Sequence, residues 1–118
     1  MDNLNKILNI DKIYVINLER EKENKQMMIK KLKKYNIQAD FVKAVDSKDK
    51  NIIEEYKYYK NKHIIPFDVT KIGDLYRSCG AYACLLSHIK VLKDAIKNDY
   101  NRICIFQDDI IFHKNFYN

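Results

Sequence analysis

Residues 103–112 read Ile-Cys-Ile-Phe-Gln-Asp-Asp-Ile-Ile-Phe, an apolar run interrupted by two adjacent carboxylates, Asp108 and Asp109. The run over 102–107 predicts a buried β-strand. Ionised groups beside a buried strand are costly unless a cation compensates them, so the pair indicates a metal or polar-ligand site. The alternative is a solvated pair in a turn. Successive strand residues face opposite ways, so both carboxylates reach one ion only if the chain turns after Asp108. Without such a turn, residues two apart share a face, which pairs Gln107 with Asp109. Because Gln107 supplies only a neutral oxygen, Asp109 is the better metal ligand, with Asp108 as a second ligand or a ribose contact.

Two further strands are predicted by β-branched and aromatic runs, over 12–17 and 39–45. Apolar periodicity predicts helices over 20–35 and 80–98, with another over 49–60. The order strand, helix, strand, helix, helix, strand predicts an α/β fold with a mostly parallel sheet flanked by helices.

The two long helices carry apolar stripes. In the first, Met28, Leu32 and Tyr35 recur at helical spacing, and in the last the stripe is Leu85, Ile89, Leu92 and Ile96. Asp46-Ser47 offers capping chemistry before the middle helix, and Ser78 before the last one. Residues 61–74, which contain Pro66 and Gly73, are predicted to form a loop.

The length of 118 residues predicts one domain over residues 1–118, because a chain of this length supports a single modest hydrophobic core. The net charge of +6 favours anionic partners such as nucleic acid, nucleotides or acidic glycans. The lysines within 30–34 lack interleaved aromatic residues and are interpreted as a solvated face, so we expect no nucleic-acid partner.

Three cysteines without a framework pattern predict reduced thiols. Since we see no signal peptide or transmembrane segment, we expect a soluble, cytoplasmic protein.

Several polar residues follow the predicted strands. Asn17, Asp46 and the Asp108-Asp109 pair come at strand carboxyl ends, where ligands collect in parallel α/β sheets. Arg20 could clamp a diphosphate from the first strand-to-helix turn, or pair with a neighbouring glutamate.

The helix over 80–98 also carries a histidine. His88 shares a face with Cys84 and Leu92, and its spacing favours a buried, hydrogen-bonded structural role. Ser87 could be an exposed helix residue. Adjacent helix positions do not face each other, so Ser87 and His88 are not predicted to act as nucleophile and base.

Taken together, these blocks resemble the family 25 glycosyltransferases, which include bacterial lipooligosaccharide transferases and the procollagen galactosyltransferases. Residues 13–20 (IYVINLER) resemble the family's V-I-N-L-x-R, and residues 41–46 (FVKAVD) its F-x-x-A-V-D-G. Residues 80–88 (GAYACLLSH) and 107–109 (QDD) are similar to G-E-I-G-C-x-L-S-H followed by E-D-D. Order and spacing agree over nearly the whole chain.

The resemblance implies a GT-A-like, Rossmann-like fold that binds a nucleotide-sugar donor. It also implies a divalent cation, usually manganese, that bridges the donor diphosphate to Asp109 with help from Asp108. Asn17 and Arg20 would lie near the nucleotide, and Asp46 near its base or ribose.

The resemblance further implies that three residues of the block over 80–88 support this site. These are Cys84, Ser87 and His88.

Departures from the family pattern leave alternatives open. Ala81, Ala83, Gln107 and Ser47 stand where the family often has Glu, Gly, Glu and Gly. Family catalytic domains continue past the acidic block, so we expect a partial, donor-binding portion whose other half is missing or supplied by a second chain. The leading hypothesis is transfer from a UDP-sugar to a hydroxyl of a glycan or protein acceptor. The alternatives are a non-catalytic, partner-binding module and, on charge alone, a small nucleic-acid-binding protein.

Overall fold

A computed structural model describes residues 3–62 and 78–116. The chain divides into two compact units, which are described separately. The first combines the part up to Lys43 with the part from Val91 onward, and the second comprises Ala44–Lys90. The elements, in chain order, are α1 (Leu4–Ile7), β1 (Lys12–Asn17), α2 (Lys22–Lys34), β2 (Asp40–Lys43), α3 (Lys50–Asn61), α4 (Cys79–Lys97) and β3 (Ile103–Gln107).

The first unit contains a parallel sheet in the order β2-β1-β3. Val15 of β1 is in register with Phe41 of β2 and Phe106 of β3, so β1 is the central strand of the part that the structure describes. The predicted α/β fold with a mostly parallel sheet is confirmed, as are all three predicted strands to within a few residues.

The hydrophobic core of this unit lies against one face of β1. Ile13 and Val15 point to that face because side chains two residues apart share a side of a strand. They pack with Met28 and Leu32 of α2, which confirms the predicted stripe of that helix, and with Leu4 of α1. Tyr14 points the other way, is also buried, and donates its hydroxyl to Asp94 of α4 at 2.6 Å. A strand covered on both faces explains the unbroken apolar run in its sequence.

Aromatic residues after β3 fold back onto α2. Phe112 lies 5.1 Å from Tyr35, 5.6 Å from Phe106 and 4.8 Å from Phe116, measured between ring centroids. Lys31 donates its ammonium to the carbonyl of Ile110 at 2.8 Å. The interpretation of all lysines in 30–34 as a solvated face is therefore wrong for Lys31, which anchors the returning segment.

The second unit contains α3 and the start of α4. The cap of α3 is Asp49, whose carboxylate accepts from the amide of Asn51, and not the predicted Asp46-Ser47. The Asp46 carboxylate accepts from the amide of Lys48 and so forms a tight turn, three residues before the Asp49 cap. Ser78 caps α4 as predicted, through a 3.0 Å bond from the amide of Ala81. The predicted loop over 61–74 begins one residue late, since Asn61 is helical, and its remainder from residue 63 lies outside the described residues.

The buried face of α4 differs from the predicted stripe. Leu92 and Ile96 are exposed, Ile96 by 79%, and Leu85 and Ile89 are only half-buried. The buried positions are instead Tyr82 and a set spaced four residues apart, Ala83, Ser87, Val91 and Ala95. The larger apolar residues beside them stay in contact with solvent. None of the described helices combines the length and the apolar character that crossing a bilayer requires.

Candidate nucleotide-sugar site

The carboxyl edge of the sheet, where β1 and β3 end side by side, brings together two predicted site residues. The chain leaves β1 towards β2 on one side, while β3 lies on the other side of β1. Such a reversal of strand order opens a crevice beyond the strand ends, and α/β proteins bind ligands there. Asn17 is the last residue of β1, and Asp108 follows the last residue of β3. Their predicted location at one edge is confirmed.

Asn17 is buried and acts as a bridge. Its amide nitrogen donates to Asp108 Oδ2 at 2.7 Å and to the carbonyl oxygen of Glu21, just before α2, at 3.2 Å. The side chain thus ties the end of β1 to the start of α2 and to the turn after β3. A hydrogen bond to a carboxylate is stronger than one between neutral groups, so Asn17 fixes the orientation of Asp108.

The two carboxylates lie in a turn directly after β3, which meets the condition for both to face one ion. Asp108 is half-buried and held by Asn17, whereas Asp109 is exposed. Carboxylate and amide oxygens are hard donors that suit Mg²⁺ or Mn²⁺, so the donor set fits such an ion. In the part of the chain that the structure describes, no three His, Cys, Asp or Glu side chains cluster as a metal site. Other ligands, such as water, would have to complete the coordination shell.

A cation that the sequence did not single out also lies at this edge. Lys43, the last residue of β2, is in register with Asn17 and pairs with Glu19 at 2.9 Å. The hydrogen bond from Lys43 lowers the pKa of the Glu19 carboxyl. Arg20 is exposed in the turn between β1 and α2. Lys43 lies inside the predicted strand over 39–45, so the sequence did not place it at the strand end, where the structure has it.

In the second unit, two of the family-like blocks meet. Ser87 is 1% exposed; its hydroxyl donates to the carbonyl of Ala83 at 2.9 Å and accepts from the amide of Val45 at 2.8 Å. The suggestion that Ser87 could be exposed is therefore wrong. Cys79 donates its thiol to the carbonyl of Ser47 at 3.4 Å. Both residues flanking Asp46 are thus held by α4, so the helix block positions the loop that carries this carboxylate.

His88 is half-buried on α4. Its Nδ1 lies 2.9 Å from the carbonyl oxygen of Cys84 and 3.8 Å from the Cys84 sulfur. The predicted sharing of one helix face by Cys84 and His88 is confirmed. The first contact is a bond back to the preceding helical turn, which orients the ring.

The model of glycosyltransferase family 25, described as an LPS biosynthesis protein family, matches residues 10–118. The chain belongs to this family. The match covers each block from which the resemblance was drawn, including β1, the Asp46 loop, α4 and the Asp108-Asp109 turn.

Several curated relatives of family 25 are similar to the chain. Procollagen galactosyltransferase 2 of Mus musculus is 28% identical over 92% of this chain and 17% of its own length. Inactive glycosyltransferase 25 family member 3 of Mus musculus is 25% identical over 92% of this chain and 18% of its own length. A glycosyltransferase 25 family member of Drosophila melanogaster is 26% identical over the same two shares. The chain therefore spans less than a fifth of the length of these relatives. No solved structure matches it.

Proposed function

We propose that this family 25 chain binds a UDP-sugar with a divalent cation, most simply Mn²⁺, and contributes to transfer of the sugar to a hydroxyl of a glycan or protein acceptor. The observation that supports this most directly is the Asn17–Asp108 hydrogen bond at the point where the strand order reverses. A buried amide that orients a carboxylate beyond the strand ends is the preorganisation that a phosphate-bound ion requires.

Asp108 and Asp109 would hold the cation in this proposal. The bond from Asn17 occupies Asp108 Oδ2 and leaves Oδ1 for the ion. We therefore propose Asp108 as the better ordered ligand and exposed Asp109 as the second, which reverses the order predicted from the sequence. When bound, the cation would neutralise charge on the leaving diphosphate. Arg20 would add positive charge at the same edge, where Lys43 is already paired with Glu19, and so favour binding of the nucleotide diphosphate. In the second unit, Ser87 and Cys79 hold the loop that carries Asp46, and a contact of Asp46 with the base or ribose stays a prediction from the family resemblance. The overall chain fold would be of the GT-A type.

Donor binding tests this proposal directly. Isothermal titration with UDP-galactose and UDP-glucose, each with and without Mn²⁺, should show binding that depends on the metal. Asp108→Asn should abolish that dependence and Asp109→Ala should weaken it. Glu54→Gln, which removes an exposed carboxylate from α3, should bind like the wild type. Absence of metal-dependent binding of any UDP-sugar by the folded chain would contradict the proposal.

A non-catalytic, partner-binding role is the second candidate. One relative of similar identity is named as inactive, and among the described residues no three His, Cys, Asp or Glu side chains cluster as a metal site. The same titration distinguishes the two candidates. A non-catalytic module that has lost the donor site would show no metal-dependent binding of a UDP-sugar, although its thermal unfolding transition would show that it is folded.

A further inference from the structure

Helix α3 carries a stack of tyrosines that the nucleotide-sugar site does not use. We name Tyr56, Tyr58, Tyr59 and Tyr82 the α3 aromatic surface. Tyr82 of α4 lies 5.8 Å from Tyr56 and 6.4 Å from Tyr59, and Tyr58 lies 5.3 Å from Tyr59, between ring centroids. All four residues belong to the second unit.

The base of this surface is fixed while its outer rings are open. Tyr82 is buried and donates its hydroxyl to Glu55 of α3. Tyr58 and Tyr59 are 55% and 39% exposed. A ring held in place by its neighbours loses little rotamer freedom on binding, so the outer pair is preorganised to receive a ligand.

Cations surround these rings. Residues 56–62 contain Lys57, Lys60 and Lys62 and no carboxylate. The ammonium of Lys60 lies 5.7 Å from the centre of the Tyr56 ring, and that of Lys62 lies 5.8 Å from the centre of the Tyr58 ring. Lysines near a helix carboxyl end also complement the helix dipole, so charge alone does not define a site. Here the ammonium of Lys62 stands beside the exposed ring of Tyr58, and that of Lys60 beside the half-buried ring of Tyr56.

The combination suits one class of ligand. The C–H face of a pyranose ring is apolar and weakly positive, and it packs against the negative face of an aromatic ring. Ammonium groups next to that ring attract a carboxylate or phosphate on the same ligand. We propose that the α3 aromatic surface binds an acidic saccharide and serves as an acceptor-binding surface, which rests on the proposed transferase function. Tyr59 packs against the sugar ring, Tyr58 borders it edgewise, and Lys57 and Lys60 bind its anionic group.

Saturation-transfer NMR on the full chain tests this inference, with 3′-sialyllactose as the acidic probe and lactose as its neutral control. The acidic trisaccharide should bind about fivefold more tightly, and added salt should reduce the difference. Tyr59→Ala should weaken its binding about fivefold, whereas Tyr59→Phe, which keeps the ring, should not. Lys57→Gln with Lys60→Gln should lower affinity to the level of lactose. Lys30→Gln, which removes an exposed charge from α2, should have no effect.

Three results would overturn the inference: equal binding of the two sugars, unchanged binding by a folded Tyr59→Ala variant, or tighter binding of oligo(U) on the same residues, which would indicate single-stranded nucleic acid. The measurement uses no donor and no metal. Loss of saccharide binding therefore counts against this surface, and loss of metal-dependent UDP-sugar binding counts against the edge of the sheet.

Discussion

The amide nitrogen of Asn17 donates to Oδ2 of Asp108 across 2.7 Å, although the two residues are 91 positions apart in the chain. The contact joins the end of the central strand to the acidic turn. It links the first and last family-like blocks of the sequence, because Asn17 of the first block orients the Asp108 carboxylate of the last.

Replacement of Asn17 by Leu should therefore destabilise the protein. The variant leaves the carbonyl of Glu21 and one oxygen of Asp108 without their donor, and we expect a loss of about 2 kcal/mol in the free energy of unfolding. Asp108→Asn keeps an acceptor oxygen for Asn17 and should cost less than about 1 kcal/mol. Urea denaturation measures both. Equal stability of Asn17→Leu and wild type would show that the bridge does not order the turn.

Alkaline pH should destabilise the protein through Tyr14. Burial and the hydrogen bond to Asp94 raise the pKa of Tyr14, and burial with the bond to Glu55 raises the pKa of Tyr82. A phenol whose pKa is raised on folding contributes stability that is complete below its unfolded pKa of about 10 and is lost as pH rises through the folded value. The free energy of unfolding should therefore fall above about pH 10. Tyr14→Phe should flatten that decline, and Tyr14→Phe with Tyr82→Phe should flatten it further; an unchanged slope in the double variant would contradict this assignment.

Ser87→Ala should loosen the loop that carries Asp46. The substitution removes the acceptor of the Val45 amide in a buried position, at a cost of about 2 kcal/mol. Hydrogen exchange of the Val45 amide should accelerate. Ser78→Ala, which removes the exposed cap of α4 at about 1 kcal/mol, should leave that amide protected. Similar exchange rates at Val45 in both variants would rule out the proposed restraint.

The aromatic cluster after β3 offers a matched pair of neighbours. Phe112→Ala removes a ring that contacts Tyr35, Phe106 and Phe116, and should lower the free energy of unfolding by about 2 kcal/mol. Ile111 is 87% exposed, and Ile111→Ala should change stability by no more than about 0.5 kcal/mol. Thermal unfolding compares the two directly. Equal effects would mean that the segment does not pack on α2.

A second matched pair tests which face of α4 is buried. Val91→Ala creates a cavity at a fully buried position and should cost about 2 kcal/mol. Ile96→Ala, at an exposed position five residues later, should stay within about 0.5 kcal/mol of wild type. A larger loss of stability in Ile96→Ala than in Val91→Ala would show that the stripe predicted from the sequence is the buried face.

The strands could be predicted because β1 and β3 are runs of β-branched and aromatic residues, and burial on both faces of a parallel sheet demands such runs. The location of Asn17 and Asp108 at one edge of the sheet could be predicted because the carboxyl ends of parallel strands meet at the same edge. The face of α4 could not be predicted, because Leu and Ile outweigh Ala and Ser in an apolar pattern, although it is Ala83, Ser87 and Ala95 that are buried. The role of Ser87 depends on the backbone amide of Val45, a partner 42 residues away that no local pattern reveals.

The central strand has a kinetic consequence. β1 pairs with β3 through Lys12↔Ile103 and Ile16↔Gln107, so formation of that ladder closes a loop of about ninety residues that contains the whole second unit. Long loops make pairing slow because their closure costs chain entropy before any contact forms. During synthesis, one side of β1 stays without its neighbour until Gln107 has left the ribosome. Until then the unpaired edge of β1 is open to other strands, and this interval is when the chain is most prone to aggregate.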